Sequence, residues 1–195
     1  MTRGGSTNPY LYPGTDVLRN KLGLRDGVAL RLAEYTYTRV RSRNMPTFPM
    51  TAQGYLATHR HLFQDFYNWA GKPRTVTLAK GASTFAFPHA IQSSLEKQFA
   101  DLAAEDNLRG LFPEAFAAGA AHYISELNVI HPFHEGNGRA TRLHLQQLAA
   151  QAGHRFEQAR LPTQGWIEAS IVAFHNMDEA PLAALLLDAI VTEAP

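Results

Sequence analysis

Between residues 131 and 142 the chain reads His-Pro-Phe-His-Glu-Gly-Asn-Gly-Arg-Ala-Thr-Arg, and helical patterns border this stretch on both sides. Upstream, Phe116, Ala120, Tyr123, Leu127 and Ile130 recur at helical spacing from Pro113 onward. The run is rich in alanine, which suits a central helix packed closely on several sides. Pro132 has no backbone N–H and disfavours helix in the residue before it, so this helix should finish near His131. Gly136 and Gly138 permit a tight turn and a close approach of backbone to ligand. The helix expected over 139–152, closed by Gly153, therefore starts at a corner, with free N–H groups and a positive dipole end facing the loop. Arg139 and Arg142 are three apart, share a face of that helix, and are planar forks suited to an anion. Two helices must meet here at an anion-binding corner, with an imidazole (His131) and a carboxylate (Glu135) beside it.

Most of the remaining chain also reads as helix. Residues 1–9 are polar and glycine-rich and read as a loose arm. Residues 10–16 form a turn in which Asp16 would cap a short helix over 17–22, closed by Gly23. A helix over Gly27–Arg43 would turn Leu30, Ala33, Tyr37 and Val40 inward, and its basic end suits a helix C-terminus better than a nucleic-acid patch. Thr51 should cap a helix running to about Ala70, with Leu56, His59, Leu62, Phe63 and Phe66 on one face. His59 and His61 are two apart and face different ways, which points to one packed and one surface histidine rather than a metal pair. Gly71 and Pro73 break this pattern. Thr75, Val76, Thr77 and Leu78 are a β-branched run, and beyond Lys80 and Gly81 comes a second extended piece over 83–87 that includes Thr84 and Phe85. This is the only strand signal in the chain, a small hairpin that must lean on helices. Helices are further expected from Pro88 to about Glu105, over 163–175 and over 180–193. The reading is an all-α bundle with one hairpin, a single domain over 1–195.

With 45% apolar and 18% charged residues, a net charge of +1 and no cysteine, the chain is globular. Disulfides and thiolate metal sites are excluded, and no electrostatic field demands nucleic acid or anionic lipid. No apolar run approaches a membrane span and the N-terminus lacks a signal-peptide core, so a cytoplasmic protein is expected, although an effector exported by a dedicated machine would look the same.

The stretch 131–142 resembles the signature of the Fic family, His-x-Phe-x-Asp/Glu-Gly-Asn-Gly-Arg-x-x-Arg, and meets every fixed position of it. Residues 56–63, 67–71, Arg74 and 173–182 also resemble segments of the Fic core, so the likeness runs from Asn8 to about Leu187. The resemblance implies transfer of AMP from ATP to a Ser, Thr or Tyr hydroxyl of a target protein. It makes His131 the general base and Phe133 a buried anchor for the loop. Glu135 becomes a Mg²⁺ ligand, though an acid favoured by the helix dipole is also compatible with that position. Gly136, Asn137 and Gly138 become an anion nest, with the Asn137 side chain a further donor, and Arg139 and Arg142 hold the β and γ phosphates. The hairpin becomes a flap over the active site that takes the target segment as an added strand, through Thr75, Val76, Thr77, Leu78, Lys80, Gly81, Thr84 and Phe85.

Three other readings fit these residues less well. A zinc hydrolase would use His131, His134 and Glu135, but there is no His-Glu-x-x-His and zinc has no need of Arg139 and Arg142. A Doc-like kinase, or a relative transferring another phosphate-linked group, shares the fold, but in the Doc branch a lysine stands where this chain has Gly138. A non-enzymatic adaptor would be expected to lose His131 or Glu135, and both are present. Many Fic proteins restrain themselves with a helix of pattern Ser/Thr-x-x-x-Glu-Gly/Asn, which is not found in this chain. The resemblance therefore implies either an unrestrained enzyme or, the favoured reading, a toxin whose inhibitory glutamate is supplied by a separate small helical antitoxin.

Overall fold

The computed structural model describes residues 8–80 and 83–191. Seven α-helices are found among these residues: α1 (Gly27–Arg43), α2 (Ala52–Phe63), α3 (Ile91–Ala104), α4 (Pro113–Ile130), α5 (Asn137–Ala152), α6 (Thr163–Asn176) and α7 (Ala180–Ala189). The fold is all-α, as expected. α4 is the central rod and lies against α3, α5, α6 and α7. Its small residues make this possible, with Ala117, Ala120 and Ala121 fully buried beside Phe116, Ile124 and Leu127. α2 packs on α5 and is flanked by α1 and α3. One hydrophobic core runs through all seven helices. No helix among the described residues is long and apolar enough to cross a membrane.

Several helix ends were legible from local chemistry. Asp26 caps α1 by accepting from the N–H groups of Val28 and Ala29, and Thr51 caps α2 by accepting from Gly54. Gly153 ends α5 in a left-handed conformation.

Four expectations need correction. Residues 17–22 are not a helix: Leu18 bridges Leu11, Arg19 N–H bonds Tyr10 O and Lys21 N–H bonds Phe66 O, so distant partners take the backbone groups a helix would use. α2 stops at Phe63 rather than near Ala70 for the same reason, since the Phe66 carbonyl that would bond residue 70 is given to Lys21. On α1 the inward row is Leu30, Glu34 and Thr38, while Tyr37 and Val40 are exposed. The C-terminal helix ends at Ala189, where β4 (Ile190–Val191) pairs antiparallel with β3 (Arg155–Phe156), a second tiny sheet not foreseen.

The hairpin exists but is shorter and shifted, with β1 (Ala79–Lys80) paired to β2 (Ser83–Thr84). Thr75, Val76, Thr77 and Leu78 approach it as non-strand backbone, while Gly81 lies outside the described residues, as do residues 1–7 of the expected arm.

Candidate active site

His131 caps α4 in the left-handed region, at φ 45° and ψ 62°, with its N–H on Leu127 O at 2.9 Å. A residue with a β-carbon pays about 1–2 kcal/mol for this conformation, and such strain persists only where neighbours over-determine it. Arg74 is the first of those neighbours. It is 2% exposed, and its guanidinium donates to four carbonyls. Nε bonds His131 O at 2.9 Å, Nη1 bonds Val76 O at 2.8 Å, and Nη2 bonds Ala86 O at 2.6 Å and Ile130 O at 3.3 Å. One buried fork thus ties the negative end of α4 to both arms of the hairpin, and burial lowers its pKa. The second neighbour is Phe85, whose ring lies parallel to the His131 imidazole at 3.9 Å and meets Phe174 edge-on.

The loop after His131 is fastened from inside. Phe133 is fully buried, as the anchor role requires, and stacks on His59 at 3.7 Å. His59 Nδ1 accepts the Gly71 N–H, so its proton sits on Nε2, which donates to Glu135 O at 2.9 Å. Burial pushes its pKa down to about 3, which keeps it neutral. The Asn137 side chain is also committed here. It accepts from Phe133 N–H and donates to Phe133 O, closing the loop on itself. Asn137 therefore shapes the nest instead of offering its amide to a ligand.

Gly136 sits at φ 83°, and a β-carbon there would lie 2.3 Å from the Phe63 ring, so packing and conformation both demand glycine. Gly138 is different. Nothing lies within 4 Å of the β-carbon it lacks, which leaves its outer side open to a ligand. The N–H groups of Asn137, Gly138 and Arg139 precede the first bond of α5, from Ala140 N–H to Gly136 O, and so form an anion-facing helix start. Arg139 lies over the Phe63 ring at 4.6 Å, and its Nη2 donates to Glu34 and, at 3.3 Å, to Glu135. Arg142 lies over Trp166 at 4.8 Å, with Nη1 3.4 Å from Leu161 O and a buried Nη2 that has no hydrogen-bond partner among the described residues. Both arginines line a cavity of about 200 Å³ between α1 and α5, together with Tyr35, Thr38, Leu62 and Leu143.

Glu135 is half-exposed at the mouth of this corner, with Oε1 accepting from Gly136 N–H at 2.7 Å. Among the described residues no cluster of three acids or histidines could cage a metal. One exposed carboxylate beside an anion nest does suit Mg²⁺, which commonly takes one or two carboxylates and fills its sphere with phosphates and water. His134, given no role from sequence, stacks on Tyr10 at 4.3 Å and meets Asn8 at 3.1 Å, tying the N-terminal segment to the loop.

At the hairpin, Phe85 N–H bonds Leu78 O, so Leu78 and Phe85 face each other as a hydrogen-bonded pair. By antiparallel alternation the backbone groups of Thr84 and Ala79 then point outward. No third strand joins the hairpin among the described residues.

The family model described as Fic/DOC family matches residues 49–149, which take in the hairpin and the whole corner. The chain belongs to the Fic/DOC family. It is 40% identical over 179 residues to a Sinorhizobium fredii protein named "Probable protein adenylyltransferase y4lH", covering 91% of this chain and 93% of that one. Among solved structures it resembles the BepC protein of Bartonella tribocorum with bound AMPPNP, with a TM-score of 0.87, 26% identity, and 95% and 97% of the two chains covered. It also resembles the N-terminal Fic domain of a VirB-translocated Bep effector of Bartonella quintana with bound ADP, with a TM-score of 0.87, 28% identity, and 93% and 94% coverage.

Two residues that organise this Fic site carried no role from sequence. Arg74 stood out only as part of the resemblance, because nothing local shows that an arginine after a turn will be buried. Glu34 was missed altogether. Its one signal was its place four residues after Leu30 on a face expected to be apolar.

Proposed function

We propose that this nucleotidyltransferase moves AMP from ATP to a Ser, Thr or Tyr hydroxyl of a target protein. The observation that carries the proposal is His131, held in a strained cap directly before a helix start that offers free N–H groups and two arginines. His131 takes the proton of the target hydroxyl as that oxygen attacks the α-phosphate. The new O–P bond forms as the bond from the α-phosphorus to the bridging oxygen breaks, and pyrophosphate leaves with that electron pair. The α5 start and Arg139 and Arg142 hold the β and γ phosphates, which keeps the leaving oxygen in line with the incoming one. Glu135 would hold Mg²⁺, which when bound neutralises charge on the phosphates. The flap adds the target segment as a further strand along an outward edge and brings its hydroxyl beside His131.

The same site supports a toxin restrained by a separate partner. Val28, Leu32 and Tyr35 form an exposed apolar stripe on α1, next to the cavity where Arg142 keeps an unpartnered buried donor. A small helical antitoxin laid on this stripe would reach Arg142 with a glutamate and occupy the place of the γ-phosphate. The toxin acts in the cytoplasm, of its own cell or, if exported as an effector, of another.

Incubation of the protein with a lysate and ATP labelled at either end tests the chemistry. Label at the α-phosphate should reach a protein band and label at the γ-phosphate should not. Transfer of the γ-label instead would establish a kinase.

A further inference from the structure

Glu34 is a buried acid near the middle of α1, far in sequence from the signature, and its side chain is 8% exposed. A carboxylate in such a place is costly unless both oxygens are satisfied. Here both are. Oε2 accepts from the Tyr67 hydroxyl and Oε1 from Arg139 Nη2. Arg139 also touches Glu135, but at 3.3 Å and from a half-exposed carboxylate that a metal would claim. Of the two acids, Glu34 is the permanent anchor. Both bind Nη2, and with Phe63 under the guanidinium plane the Nε and Nη1 donors have no hydrogen-bond partner among the described residues. Those two donors are the ones left for an anion.

We propose that Glu34, braced by Tyr67, is the positioning residue that pre-orders Arg139 for the nucleotide's phosphates. The inference rests on the phosphate-holding role of Arg139 and deepens it. Arg139 lines the cavity between α1 and α5 and Glu34 does not, so a nucleotide reaching Arg139 from that side has no need to displace Glu34. Glu34 is a support behind the arginine, not a plug in front of it. An arginine free to rotate would have to be ordered by its ligand at each binding event, and long side chains lose much rotamer freedom when fixed.

The test is a double-mutant cycle read in AMPPNP affinity with Mg²⁺ present. Glu34→Ala should weaken binding about tenfold, the order set by that ordering cost. Glu34→Gln should recover most of the loss, since its amide oxygen can accept from Arg139 while the Tyr67 hydroxyl turns to accept from its amide nitrogen. In an Arg139→Ala background, Glu34→Ala should have no further effect. Equal weakening in both backgrounds would assign Glu34 a merely structural role and overturn the inference. Unchanged or tighter binding by Glu34→Ala would also overturn it, the latter by making Glu34 a restraint. Should Glu34→Ala fail to fold, Tyr67→Phe, which removes the brace on Glu34 Oε2, takes its place in the same cycle, with a smaller loss expected that Arg139→Ala again abolishes. Because the readout is binding, this coupling observed without any AMP transfer would refute the proposed activity and support the anchor. Transfer without coupling would refute the anchor alone.

Discussion

Arg74 makes the sharpest demand on this account of the site. Replacing it with methionine keeps much of the buried volume and deletes the donors that reach His131 O, Val76 O, Ala86 O and Ile130 O. Three of these bonds are 2.9 Å or shorter, and hydrogen bonds from a charged donor contribute about 1.5–3 kcal/mol each, a gross loss of about 4.5–9 kcal/mol. Against this, the guanidinium has no carboxylate partner among the described residues and its desolvation cost of several kcal/mol is recovered. The net destabilisation should be about 3 kcal/mol, which a domain with about 5–15 kcal/mol of stability survives. Activity should fall further than stability. With Arg74 gone, the bonds by which one guanidinium joins the His131 carbonyl to both arms of the hairpin are lost, and misplacement of a reacting group by about 1 Å can cost about 10²-fold in rate. Arg74→Lys, a point donor that cannot span four divergent carbonyls, should fall between the two. Denaturant melts give the first quantity, and kcat/KM for AMP transfer under folding conditions gives the second. Methionine at 74 with an unshifted melt and undiminished transfer would refute the claim that this fork holds His131 and the hairpin together.

Three further outcomes follow from other contacts. His131→Gly and His131→Ala should both reduce transfer by about 10²–10⁴-fold, but the glycine variant should melt higher by about 1 kcal/mol because only it sheds the left-handed strain; equal melting would disprove the strain. His59 and His144 are buried with pKa values pushed down to about 3 by desolvation, below the ordinary 6.5, so the unfolded chain binds more protons. Stability from both is fully present above pH 6.5 and drains away toward pH 3, at up to about 1.4 kcal/mol per pH unit for each; His144→Leu should halve that slope in denaturant melts taken across the range. Thr84→Pro removes an outward-facing N–H without breaking the ladder, so it should impair modification of a protein target by more than it impairs AMPPNP binding, and equal effects on both would place target docking elsewhere.

The parts of the fold that were legible share a physical trait, as do those that were not. α4 and α5 could be bounded because their ends are made by their own residues: Pro113 at one start, the corner after His131, and Gly153 at the last stop. Residues 17–22, the end of α2 and the C-terminal strand pair resisted because there a backbone group is captured from far along the chain. Lys21 takes the Phe66 carbonyl, and Glu157 takes that of Ala189. No periodicity within a window of fifteen residues contains that information.

The site divides along the same line. The residues proposed to face the nucleotide form one contiguous stretch, because a turn between two helices delivers an imidazole, a carboxylate, a nest and two forks with no help from elsewhere. The residues that hold this stretch in shape come from other elements and contradict the pattern by which cores are read. Arg74 and Glu34 are buried charges, His59 is a buried ring with both nitrogens satisfied, and the Asn137 amide turns inward. Hydrophobic patterning places charge outside, so a supporting shell built of charge is invisible to it until the carbonyls it satisfies are known. That shell is also what permits the strained cap at His131. Its carbonyl is held by Arg74, and the loop that follows is pinned by Phe133 on His59. Substitutions there should therefore damage chemistry before they damage the fold, the reverse of what their burial alone implies.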